Sequence, residues 1–338
     1  MNIDDVIKKS IETPGVSMKR GEYSTELILK QREGKGSMTF LPLFPGITLA
    51  YIFVNAPTWP APNLLIEESN AKGPLIINYC VTGRCELILN SEDFVYLKDG
   101  EISLTERFAQ KQYIYPRRIY EGLEFFIDID TVMSQSTYIR QAFDLNLSHF
   151  PEVYCQNGKT YISNCTAEIE NIFKKLWVLY NANPAYAIFQ MRILSLELFG
   201  LMLNDMDIPP SQACTFFTAT QVDIAKKTEQ IITADLRQHH PAWELAASFS
   251  ISETSLKNYF RGVYGQNISI YLRDARMNKA SELLINTQKP IAAIGEQVGY
   301  MNQSKFASAF KKQFGLAPLE YRRSKHLDTF FNKKTIYR

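Results

Sequence analysis

The first 148 residues of this chain contain no histidine, and all 338 contain four: His149, His239, His240 and His326. A metal-dependent barrel needs imidazole ligands converging inside it, so that chemistry lacks its donors in the β-rich first half. No G-x-S-x-G elbow, phosphate-cradling glycine loop or Ser/His/Asp set stands out either, and the expectation is a protein that is not an enzyme, with no cofactor and no metal. The five cysteines (Cys80, Cys85, Cys155, Cys165, Cys214) are odd in number and have neither zinc nor disulfide spacing, which fits reduced thiols. Cys80 and Cys85 flank Thr82-Gly83-Arg84, read as a turn that would bring them near each other across a hairpin. No apolar run approaches the roughly 20 residues needed to span a bilayer. The opening Met1-Asn2-Ile3-Asp4-Asp5 has neither the basic nor the apolar block of a secretory signal. A cytoplasmic protein without a membrane partner is therefore expected.

Net charge is nearly balanced at +2, but its distribution is not. From residue 219 onward there are 18 Lys and Arg against 10 Asp and Glu, leaving 19 against 25 before it. A basic half beside an acidic one suggests two domains, of which the second suits a polyanion.

That second half carries the densest pattern. Pro290 to Tyr300 reads as one short amphipathic helix, a turn through Gly299 follows, and Phe306, Phe310 and Phe314 mark the buried stripe of another. Pro290 suits a first helical position, Gly315 a left-handed stop, and Pro318 bars continuation. The same layout occurs upstream: Trp243 to Phe249, Ser252 as N-cap with Glu253 in the first turn, the pair Leu256 and Phe260, and a stop at Gly265. Between the copies, Ile268 to Ile285 is one helical pattern, a rod of about 27 Å that suits two recognition helices set near one DNA turn apart, about 34 Å.

The skeleton Leu245-Ala246, Ser252, Leu256, Phe260, Gly265, Tyr271-Leu272, Arg276, Ala280, Leu283-Leu284, Ile291, Ile294, Gly299-Tyr300, Phe306, Phe310-Lys311, Phe314-Gly315, Pro318, Tyr321-Arg322 resembles the DNA-binding domain of the AraC/XylS transcription regulators. The resemblance covers roughly residues 220–325. Three positions depart from the family pattern: Gly295 stands where Ala is usual, Tyr300 replaces Phe, and Asn258 stands where many members carry Arg. The resemblance implies double-stranded DNA as partner. Thr254, Ser255, Lys257, Asn258, Gln303, Ser304, Lys305 and Ser308 would read bases, since Asn and Gln pair with adenine, Lys donates to guanine and hydroxyls serve either. Arg261, Lys311, Lys312, Arg322 and Arg323 would touch phosphates. A DNA-repair variant of this architecture would need a clustered cysteine set that the chain lacks.

The first half reads as short strands with turns between them, from about Met38 to Ile129: Thr48–Val54, Leu75–Cys80 paired to Cys85–Leu89, Phe94–Leu97, Glu101–Leu104 and a last, longer strand at Leu123–Ile129. In the family this place often holds a cupin-like jelly roll that binds a small effector, and the segment resembles it loosely. Tyr79, Arg84, Tyr96, Tyr113, Tyr115 and Phe125 are the effector-contact candidates. Two helical stripes follow, one through Ile169, Ile172-Phe173, Leu176 and Leu179-Tyr180, the other through Phe189, Ile193, Leu196, Phe199 and Leu203. The resemblance makes the second stripe a homodimer interface. The expected chain is α+β and two-domain. Residues 1–204 would form a cupin-like barrel (about 38–130) with flanking helices (about 165–204), for sensing and dimerisation. A linker at 205–218, an all-α domain with two helix-turn-helix motifs at 219–325 and a basic tail at 326–338 would follow. The function implied is a sequence-specific activator under effector control, with RNA polymerase as a further partner. The alternative is a DNA-binding regulator without a small ligand, its first half serving dimerisation or protein contact.

Overall fold

The computed structural model describes residues 7–8, 10–31, 34–60, 74–90, 93–106, 112–156, 160–182, 184–204 and 216–325. Cys214, His326, linker residues 205–215 and the tail 326–338 lie outside these. The chain divides into two compact units, Met1–Ala219 and Thr220–Arg338.

The first unit is a curled antiparallel sheet. A meander of β1 (Val16–Arg20), β2 (Thr25–Gln31), β3 (Gly34–Phe44) and β4 (Ile47–Asn55) leads to β10 (Ile119–Ile127), which lies between β4 and β6 (Leu75–Asn90). The path continues to β7 (Asp93–Lys98) and β12 (Phe217–Thr218). β8 (Glu101–Thr105) also pairs with β6 and carries β11 (Tyr161–Asn164), while β9 (Gln112–Ile114) joins β5 (Thr58–Pro60) to β6. The sheet begins well before the expected Met38, and Phe217–Thr218, expected in the linker, form a strand of this unit.

β6 overturns the expected hairpin. It runs unbroken for 16 residues, with no reversal at Gly83. The strand pairs with β10 on one side of Gly83 and with β7 beyond it, and a bulge at Glu121/Gly122 absorbs the bend. Gly83 takes φ 107, and a Cβ there would meet the Ile119 carbonyl oxygen at 2.2 Å. The glycine is thus spent on a bend and a close strand approach, as bulges require. Cys80 and Cys85 are accordingly buried on one strand and not opposed across a turn.

Burial explains why β4 is nearly all apolar. Leu49 and Tyr51 alternate with Ala50 and Ile52, and the two sets enter different cores. The first face, with Tyr79, Leu123 and Phe125, is covered by helices; the second, with Phe40, Ile76, Cys80, Cys85 and Tyr120, closes on itself. Three short helices not anticipated from sequence follow β10: α1 (Ile129–Gln135), α2 (Thr137–Phe143) and α3 (His149–Tyr154). The last strand therefore ends at Ile127, because Asp128 caps α1 by accepting from the Thr131 amide at 3.2 Å. α4 (Ala167–Leu179) and α5 (Pro184–Asn204) cover the first face with Phe173, Leu176, Leu194, Leu198 and Phe199. Over Tyr186–Asn204, α5 is long and apolar enough to cross a bilayer by length and composition, contrary to the expectation that no segment approaches this. Arg192 and Glu197 interrupt the run in sequence without lowering its average below that mark, and much of its length packs into the core.

The second unit is helical: α6 (Ala219–Ala234), α7 (Ala242–Ser248), α8 (Glu253–Tyr264), α9 (Ile268–Asn286), α10 (Ile291–Gln297) and α11 (Gln303–Phe314), with a further helical stretch at 318–325. α9 is the expected rod, and its Met277, Ala280 and Leu284 join Ile294, Val298, Phe306 and Phe310 in one core. Pro290 sits one residue ahead of α10, in the cap position, where Pro241 also stands for α7.

Candidate nucleic-acid interface

The two helix pairs α7–α8 and α10–α11 are built from matching parts. Ser252 and Asn302 cap α8 and α11, their side chains accepting from the Ser255 amide at 3.1 Å and the Lys305 amide at 2.9 Å. Leu256 and Phe260 in the one, Phe306 and Phe310 in the other, are fully buried. Gly265 and Gly315 close both helices in the left-handed conformation, at φ 74 and 76. Beyond each stop a tyrosine returns to the aromatic stripe: Tyr271 lies edge-on to Phe260 and Tyr321 edge-on to Phe310. Fifty residues separate each of these partners, a repeat in packing positions.

Each pair turns a polar helix face to solvent. Thr254, Lys257 and Asn258 are exposed on α8, as are Gln303, Ser304, Lys305 and Ser308 on α11. Two candidates already have partners: Ser255 is half-buried with its hydroxyl 2.9 Å from that of Ser252, and Lys257 pairs with Glu253 at 2.5 Å. The second contact is an exposed i,i+4 pair worth about 0.3–0.5 kcal/mol, readily exchanged for another anion. Arg261, Lys311, Lys312 and Arg323 are exposed. Arg322, expected at a phosphate, is half-buried instead, donating to the carbonyls of Leu284 at 3.2 Å and Lys289 at 2.8 Å. Those bonds tie it to the C-terminal end of α9, where unpaired carbonyls attract a cation.

Sequence reasoning missed three features here. Gln313 on α11 donates to Asn278 on α9 at 3.0 Å. Asp235 lies below the usual carboxylate range, at about 2, because Arg237 donates to it from side chain and backbone. Arg276, noted only as part of the skeleton, donates to the carbonyls of Leu236 at 2.8 Å and Gln238 at 3.2 Å.

In the first unit, the effector candidates do not form one wall. Tyr79 stacks on Phe173 of α4 at 4.2 Å and Phe125 meets Phe199 of α5 edge-on, so both face the helices. Tyr115 stacks on Tyr120 in the other core, with Tyr113 packed beside it. The guanidinium of Arg84 lies 5.4 Å over the Tyr96 ring, and Tyr96 donates to Glu86 at 2.7 Å. Missed altogether was a buried polar chain in the second core: Tyr120 donates to Asn78 at 2.7 Å, and Asn78 to Glu124 at 2.8 Å. Burial pushes the Glu124 carboxyl up to about 8.

The dimer candidates also divide. Phe189 and Ile193 are exposed on α5 with Tyr186, whereas Phe199 is fully buried against Phe125 and Phe150. A side chain enclosed in its own core offers nothing to a second chain, so Phe199 leaves the set. Leu196 and Leu203 are partly buried against the same core.

A family model described as a helix-turn-helix domain matches residues 245–324. The chain is 37% identical over 86 residues to the transcriptional regulator Rob of Salmonella typhimurium, a match covering 25% of this chain and 30% of that one. It is 23% identical over 282 residues to the HTH-type transcriptional activator RhaR of Yersinia pseudotuberculosis, covering 71% and 94%. Residues 245–324 are thus an AraC-type helix-turn-helix domain. Among solved structures, the C-terminal domain of AraT, a response regulator from Geobacillus stearothermophilus, is 34% identical over 30% of this chain and 84% of its own, with a TM-score of 0.29. The match to Rob spans under a third of that protein's length.

Proposed function

We propose that the chain is a sequence-specific DNA-binding regulator of transcription, acting as an activator. The observation that carries this reading is the repeated helix pair, which presents two capped polar helices, α8 and α11, from a scaffold otherwise closed by buried aromatics. Each pair serves as a helix-turn-helix motif, with α8 and α11 entering successive major grooves. Thr254, Asn258, Gln303, Ser304, Lys305 and Ser308 read base edges, joined by Lys257 once it leaves Glu253. Arg261, Lys311, Lys312 and Arg323 hold phosphates, and RNA polymerase is the partner that activation requires. DNase footprinting of the full-length chain on the promoter beside its own gene, across a salt series, tests this. A protected tract of about two helical turns per chain that fades steeply with salt is expected. No protection at low salt, with the 219–338 fragment equally silent, would reduce both pairs to packing elements.

The first unit, in this reading, binds a small effector on the closed side of its sheet, where Asn78, Tyr120 and Glu124 supply polar tips among apolar walls. The effector acts only if it binds one arrangement of the chain more tightly than another. One observation favours a second reading, in which this unit serves dimerisation alone: Cys80, Cys85, Leu97, Tyr115 and Tyr120 on that side are packed to within 2% exposure. The exposed Tyr186, Phe189 and Ile193 of α5 would then carry the homodimer. Light scattering at micromolar concentration, with and without DNA, decides the dimer: a 38.8 kDa particle alone, and one such chain per duplex when DNA is added, would exclude it.

A further inference from the structure

One junction within the second unit is centred on Arg276. From the middle of α9 its guanidinium donates to the carbonyls of Leu236 and Gln238, just past the end of α6. The same group lies 6.0 Å over the ring of Tyr300, in the turn between α10 and α11. Gly299 in that turn takes φ 84 and approaches so closely that a Cβ would meet the Leu236 carbonyl oxygen at 2.5 Å and Arg276 Cζ at 3.1 Å. Three segments distant in sequence therefore touch at one side chain: the exit from α6, which leads into α7–α8; the connecting helix α9; and the turn that launches α11. A planar fork with two donors on two carbonyls and a face on an aromatic ring fixes direction as well as distance.

We propose that Arg276 is a positioning residue that sets the spacing between the two DNA-reading helices, so that the length between half-sites is read by this junction and not by any base-contacting side chain. The inference rests on the DNA-binding reading above. Two linked modules gain affinity from each other only when the linkage places the second at its site as the first binds. A rigid junction concentrates that gain on one half-site spacing. A loosened one spreads it over several and lowers the peak. Arg322 makes a like pair of bonds to Leu284 and Lys289, but these partners belong to the end of α9 and the entry to α10, not to the exit from α6. Removing Arg322 is thus expected to cost stability without changing spacing preference.

The test begins by letting the full-length wild-type chain select sites from a random duplex library of about three helical turns (~30 bp). The selected duplex is then rebuilt with its half-sites one base pair closer, one farther, and about half a turn (~5 bp) farther. Binding of wild type, Arg276→Ala, Arg276→Lys, Gly299→Ala and Arg322→Ala is measured on each duplex and on a single half-site, with thermal unfolding recorded for every variant. The wild type should show a sharp optimum. Arg276→Ala should bind the parent duplex roughly tenfold more weakly, with a flattened spacing profile and near-unchanged binding to the single half-site. Arg276→Lys, which keeps charge without the fork, and Gly299→Ala, which wedges the junction, should flatten the profile too. They carry the test if Arg276→Ala fails to fold. Equal weakening of folded Arg276 and Gly299 variants at every spacing, with the wild-type optimum kept, would overturn the proposal and leave Arg276 a fold stabiliser. A wild type that selects no duplex would remove the DNA-binding reading, and this inference with it.

Discussion

The α7–α8 and α10–α11 pairs share a skeleton and differ in what they show to solvent. Where one has Ser252, Phe260, Gly265 and Tyr271, the other has Asn302, Phe310, Gly315 and Tyr321, each doing the same packing or capping task. At the outward positions, Thr254 answers to Ser304, Ser255 to Lys305, Lys257 to Ala307 and Asn258 to Ser308. Packing restricts residue type because a core tolerates little change in volume. An exposed helix face is free to diverge. In the proposed function the two half-sites of an operator would therefore differ in sequence while requiring the same scaffold.

The severest way to break this comparison is to delete matching core rings. Phe260→Ala and Phe310→Ala should each destabilise the second unit by about 3–5 kcal/mol, read as a lowered unfolding transition of the full-length chain. If one substitution is tolerated while the other unfolds the unit, the two pairs are not equivalent scaffolds. The first unit should respond to pH in a way the second does not. Buried Glu124 stays protonated to about 8 in the folded chain against an ordinary value of 4.5, so the unfolded chain gives up its proton first. Stability from this group is fully present below 4.5 and declines as pH rises toward 8, by up to about 1.4 kcal/mol per pH unit. Glu124→Gln, which keeps an oxygen for the Asn78 amide, should remove the slope from the first unit's transition. A slope that persists in the variant would point to a different group.

On the faces proposed to read bases, Asn258→Ala should change preference at individual bases by about 1–3 kcal/mol. Lys312→Ala should weaken every sequence alike and reduce the salt slope by about one unit. Quantitative binding to a selected site and its single-base variants separates the two. Equal losses on all sequences for both variants would show that α8 and α11 contribute charge without reading.

These helix pairs were largely legible in the sequence because their signals are local: a cap, rings four residues apart and a glycine stop fall within about four turns. The first unit offered less. A strand buried on both faces, such as β4, shows no alternation, and helices of six or seven residues, such as α1 to α3, are too short to show a period. Thr82-Gly83-Arg84 resembled a reversal because a glycine bend and a glycine turn look alike until the partner strand is known. Helix α5 misled differently. It is apolar nearly all round, so buried Phe199 and exposed Phe189 joined one apparent stripe. Sequence did not connect Arg276 with the exit from α6, because its hydrogen-bond partners there are backbone carbonyls.

The smallest effect probes the one position where the two pairs solve the same turn differently. Between α10 and α11 the left-handed residue is Gly299, at φ 84; between α7 and α8 it is Ser250, at φ 56. A side chain in that conformation costs roughly 1–2 kcal/mol that glycine does not pay. Glycine also loses more freedom on folding, which offsets roughly 0.5–1 kcal/mol of the relief. Ser250→Gly should therefore stabilise the second unit by about 0.5 kcal/mol, a small upward shift of its melting transition. The reciprocal Gly299→Ser should destabilise by more than this gain, because the added Cβ meets the Leu236 carbonyl 2.5 Å away while the backbone stays strained. Equal and opposite effects would mean that backbone conformation alone separates the two turns. The expected imbalance would locate the difference in the junction at Leu236 and Arg276, which only the second turn must fit.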